Sequence, residues 1–139
     1  MKSPMQQEQV ELYRRHHPGM RVQWVRNKYH CIKSRAKKKD ILFDISFEWY
    51  LSKYLAGCSL TGIHFSRQKT GNPTLDQFYR CSIDRKNPEN GYIQSNCHLI
   101  LQGLNVLKQR KSLSLFRHEV RKHMADIILK SGIFSLQHP

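Results

Sequence analysis

Residues 81–108, CSIDRKNPENGYIQSNCHLILQGLNVLK, hold two strand-length apolar runs, Cys81 to Lys86 and Cys97 to Leu101, separated by the turn-rich stretch NPENGYIQSN. Runs this short, bounded by Asn, Pro and Gly, read as neighbouring strands rather than helices. Gly103 to Arg110 reads as a helix entered directly from the second run. A two-stranded hairpin is marginal alone, so such a unit has to be covered by the flanking chain. The predicted fold class is α+β, with a ββα core over 81–111 and helices on both sides.

The flanks supply candidates. Ser3-Pro4 reads as a cap with proline at the first helical position, opening a helix to about His16 that Pro18-Gly19 ends. From Met20 the residues Val22, Val25, Tyr29 and Ile32 recur at helical spacing, predicting a helix to about Lys38. Ile41-Leu42-Phe43 reads as a short buried piece. Asp44 or Ser46 then caps a helix over Phe47–Ala56, with Phe47, Tyr50, Leu51 and Tyr54 as its apolar face and Gly57 as its left-handed stop. Residues 66–77 lack periodicity and read as a loop. A last helix, capped by Ser112 or Ser114 and running to Lys130, carries Phe116, Val120, Met124, Ile127 and Ile128. The divisions expected are a basic helical arm at 1–40, a domain at 41–130 and a tail at 131–139.

Charge narrows the partner. The chain's 139 residues suit one domain, and its 24 Lys and Arg against 10 acidic residues give a net charge of +14. A surplus of that size favours a polyanion, because contacted phosphates release counterions. Residues 1–40 hold 11 of the basic and 3 of the acidic side chains. Arg26, Lys28, Lys33, Arg35, Lys37, Lys38 and Lys39 have no acidic partner at i,i+4, so this run reads as a phosphate-contacting surface.

Other classes are excluded. The longest charge-free stretch, Asn90 to Leu107, is too polar to span a bilayer, so no membrane partner is expected. The first fifteen residues lack the apolar run of a signal peptide, which makes a cytoplasmic location the default. The four cysteines lie 27, 23 and 16 residues apart with no C-x-x-C knuckle, so no structural zinc is expected. Trp24 and Trp49 sit on apolar helix faces and read as core. No Walker loop, G-x-G-x-x-G or Ser-His-Asp order is visible.

Asp84 in the first strand and Asn105 on the following helix are hard oxygen donors of the kind that suit Mg²⁺ or Mn²⁺. The plain reading of the same residues is a strand-end ion-pair partner and a polar helix residue. The order of motifs carries more than these two positions. The stretch S-I-D-R-x-N-P-x-x-G-Y-x-x-x-N, an apolar strand and N-x-x-K on a helix resembles the HNH endonucleases, the ββα-metal or His-Me finger nucleases. It is most similar to their small bacteriophage-encoded versions. Upstream, residues 34–46 (SRAKKKDILFDIS) and C-S-L-T-G at 58–62 resemble the lead-in of the same proteins, so the likeness covers roughly residues 34–125.

The resemblance implies a divalent-metal-dependent DNA endonuclease using one Mg²⁺ or Mn²⁺. Such an enzyme would nick double-stranded DNA, with a homodimer or two successive events needed to cut both strands. It implies Asp84 and Asn105 as metal ligands, Asn96 as the residue tying down the loop, and Lys108 near the phosphate, with Arg85, Arg110 and Lys111 as further basic contacts. The family's usual base is a His directly after the Asp, and this chain has Arg85, which takes no proton near neutrality. His64 and His98 are the candidate substitutes, with bound water or the substrate phosphate as the other routes. The alternative is a catalytically weak or inactive nuclease fold that only binds DNA.

Overall fold

A computed structural model describes residues 4–17 and 19–108. The helix expected over 112–130, the tail, the Ser3 cap, Arg110 and Lys111 lie outside those residues. The chain divides into two compact units, one of Met1–Phe65 with Cys81–Ile100, the other of Ser66–Arg80 with the chain from Leu101 onward.

In the first unit, helices α1 (Pro4–His16) and α2 (Val22–Lys38) both pack on α3 (Phe47–Ala56). Helix α2 buries Val22, Val25, Tyr29 and Ile32, the stripe its spacing predicts, and Ala36 beyond it. Helix α3 buries Tyr50, Leu51, Tyr54 and Leu55, while Phe47 stays half-buried under the Arg26 guanidinium at 4.1 Å. Its cap is Ser46, whose Oγ accepts from the Trp49 amide at 3.1 Å. The other candidate, Asp44, is in a strand. Gly57 ends the helix at φ +88°, where a Cβ would lie 2.9 Å from the Ile63 carbonyl oxygen. Trp24 and Trp49 are half-buried beside Arg21 and Lys53 and are not core residues, because the apolar stripes are completed without them.

Two small sheets complete this unit. Strand β2 (Cys81–Arg85) pairs with β4 (Cys97–Leu101), and β1 (Phe43–Asp44) pairs in parallel with β3 (Tyr92–Ile93). Phe43 stands opposite Tyr92 and Asp44 opposite Ile93. The segment read as a turn-rich loop therefore contains a strand and a 3₁₀ turn, Gln94–Asn96. The piece read as buried has Leu42 65 % exposed, because pairing with β3 uses its backbone and turns that side chain to solvent. A Cβ on Gly91 would fall 2.8 Å from both the Cβ and the carbonyl oxygen of Leu42, so glycine alone permits this approach.

In the second unit, the segment read as a loop forms α4 (Pro73–Phe78), started by the Asn72 side chain accepting from the Leu75 amide at 3.2 Å. Asn followed by Pro was the helix start signal there. Helix α5 (Gln102–Lys108) packs on α4, and the Phe78 ring occupies the space a Cβ on Gly103 would need. Gln102 N donates to Arg80 O at 2.8 Å. Among the described residues no helix is long and apolar enough to cross a membrane.

Cys58, Cys81 and Cys97 are buried and Cys31 is exposed, all as free thiols. Burial pushes the Cys81 thiol up to about 12 and the Cys97 thiol to about 11. A thiol-specific disulfide reagent at pH 8 should modify Cys31 fast and the other three only on unfolding. The unfolded chain gives up these thiol protons near 9.0 and the folded chain keeps them, so stability should fall as pH rises from 9 towards 12. Gly91→Ala should cost about 1–3 kcal/mol in urea unfolding through overpacking. Gly19→Ala, with nothing within 4 Å, should cost nothing measurable.

Candidate functional site

Strands β2 and β4 run antiparallel. The Lys86 amide donates to the Asn96 carbonyl at 2.7 Å, and two residues further along each strand Asp84 meets His98. Residues two apart on a strand share a face, and directly opposite residues bring their side chains together. His98 Nε2 lies 2.7 Å from Asp84 Oδ2, with the two side chains 19 % and 12 % exposed. A carboxylate only accepts, so Nε2 carries the shared proton. On the other edge of the ring, Nδ1 is 2.8 Å from Ser59 Oγ. Ser59, Asp84 and His98 thus form one hydrogen-bonded chain at the surface.

Asn96 is 7 % exposed and closes the loop ahead of β4. Its Nδ2 donates to the carbonyls of Asn87 and Gly91, each at 3.0 Å, and its Oδ1 accepts from the Asn87 amide at 3.0 Å. All the donors and one acceptor of the side chain are used in holding backbone.

Arg85 follows Asp84, so strand alternation turns it to the opposite face. There its Nη1 donates to Asn90 O at 3.2 Å and its guanidinium lies 5.0 Å from the centre of the Tyr92 ring. His64 belongs to a different cluster. It meets Tyr13 at 5.3 Å and His17 at 5.0 Å between ring centres, where Tyr13 donates to Phe65 O. Of the two histidines proposed as bases, His98 is the one hydrogen-bonded to Asp84.

Asn105 and Lys108 are half-buried on α5, in the second unit. On α2, Lys33, Arg35, Lys37 and Lys38 are exposed, as is Lys39 just beyond it, while Arg26 and Lys28 are half-buried. Among the described residues no three His, Cys, Asp or Glu converge on one point. Asp84 nevertheless fits a hard cation, since Mg²⁺ is commonly held by one or two carboxylates with water and substrate phosphate filling the rest. Ser59 is the residue the sequence did not single out. Its only signal was membership of the C-S-L-T-G turn, and nothing in spacing placed that turn beside β4.

No protein-family model matches the chain, and no curated protein or solved structure matches it significantly.

Replacing Asn96 with Ala strands three backbone groups and should cost about 2–4 kcal/mol, read as a lower urea midpoint. Asp84→Asn keeps the shape of the pair and should leave that midpoint nearly unchanged.

Proposed function

We propose that this chain is a divalent-metal-dependent DNA endonuclease of the HNH type, with Asp84 as metal ligand and His98 as the base. The observation that supports this most is the Asp84–His98 pair, which sets an imidazole beside the carboxylate although the position after Asp84 is arginine. What a bound Mg²⁺ or Mn²⁺ supplies is stabilisation of the charge that builds on the phosphate and the leaving oxygen. His98 holds its proton at Nε2, on the edge of the ring that faces Asp84, so the nitrogen left to take one is Nδ1, on the edge that faces Ser59. Asn96 keeps β2 and β4 in the register that makes these side chains neighbours.

The resemblance gives Asn105 the second ligand position and Lys108 a phosphate contact, and both remain part of the proposal. Most basic residues at α2 fall on two flanks of its buried stripe, the N-cap Arg21 with Lys28 and Arg35 on one, Arg26, Lys33 and Lys37 on the other, and Lys38 lies on the exposed back. Side chains seven residues apart stand about 10 Å apart along a helix, so each flank offers separated cations to a phosphate backbone.

Supercoiled plasmid incubated with the protein and Mg²⁺ or Mn²⁺ should become open circle. EDTA and Asp84→Ala should abolish the conversion, Asn105→Ala should weaken it, and His98→Ala should slow it by about 100-fold or more. His64→Ala should stay within about twofold of wild type, far below the effect expected of a lost base. Plasmid that stays intact over a wide range of metal and protein, yet shifts on a gel, would leave a DNA-binding protein without nuclease activity. Lys37, Lys38 and Lys39 changed together to Ala should flatten the salt dependence of binding by about one to three phosphate contacts.

A further inference from the structure

The turn after α3 reaches the Asp84–His98 pair from outside the hairpin. Ser59 donates its amide to Leu99 O at 3.0 Å, one residue past His98, and its Oγ stands 2.8 Å from His98 Nδ1. The turn is itself closed, by Gly62 N to Cys58 O at 2.7 Å and Cys58 N to Ile63 O at 2.8 Å. An exposed serine ordinarily has a free hydroxyl. This one is delivered to the ring by a backbone that is bonded at both ends of the turn and to the strand carrying the histidine.

We propose that Ser59 is a positioning residue for His98, its hydroxyl holding the Nδ1 edge so that Nε2 stays directed at Asp84. For the reaction this rests on the nuclease reading, while the orientation of the ring is a property of the protein alone. An imidazole anchored at one nitrogen can still rock about its side-chain torsions. A partner on the opposite nitrogen removes that freedom and selects the tautomer. A hydroxyl donates to the bare Nδ1 and, once that nitrogen takes a proton, accepts from it, while Nε2 keeps its own proton toward Asp84. Alanine cannot do this and threonine can.

The test uses the full chain labelled with ¹⁵N, with wild type, Ser59→Ala and Ser59→Thr compared by the ring nitrogen shifts of neutral His98 and by plasmid nicking. Wild type and Ser59→Thr should show a single tautomer with the proton on Nε2, and Ser59→Ala a mixture. In nicking, Ser59→Ala should lose about 10–100-fold in kcat with KM unchanged, and Ser59→Thr should restore most of it. Matching thermal unfolding of the three proteins separates this from general damage.

Ring shifts in Ser59→Ala identical to wild type would overturn the proposal, whatever the protein does to DNA. So would covalent labelling of Ser59 by a fluorophosphonate, since the serine would then be a reacting group and not a support. A wild type that cuts nothing while the shifts behave as stated would sink the nuclease reading and leave the positioning role standing.

Discussion

Asn96 is the residue through which most of the first unit's geometry passes. Its side chain joins both ends of the loop between β2 and β3, and its carbonyl receives the Lys86 amide at the start of the β2–β4 ladder. A buried amide satisfied by backbone on all of these sides is expensive to disturb, since each group released would be left without water. By setting the loop it also places Gly91 against Leu42, and that approach is what allows the parallel pairing of β1 with β3.

Strand register then decides which side chains meet. Because side chains alternate, a slip of one residue would exchange Asp84 for a neighbour on the opposite face and separate it from His98. The same alternation explains Arg85. It follows Asp84 in sequence but works on the far side of the strand, where Asn90 and Tyr92 receive it. Asp84's hydrogen-bonded neighbour is its partner across the ladder, fourteen positions later, and not the next residue in the chain.

The charge and the hydrogen-bonded chain occupy different elements. Helix α2 spends its apolar stripe on the core and leaves cations on the two sides of that stripe. The Ser59–His98–Asp84 chain draws on a turn and two strands and needs none of those cations.

Helix periodicity in α2 and α3, a cap at Asp44 or Ser46, the stop at Gly57 and the two strands of the hairpin were readable in the chain, because each depends on neighbours within a turn or two. The short helix after Asn72 was signalled by Asn-Pro but hidden by its lack of an apolar stripe. Strand β3 was hidden because its partner, β1, lies some fifty residues away and pairs through backbone. The candidate ligand Asp84 and the loop-closing Asn96 carried sequence signals. That His98 and not His64 meets Asp84, and that Ser59 meets His98, depended on register and on where a closed turn is laid against a strand. Local spacing determines what a segment becomes, whereas long-range backbone pairing selects which of its side chains touch.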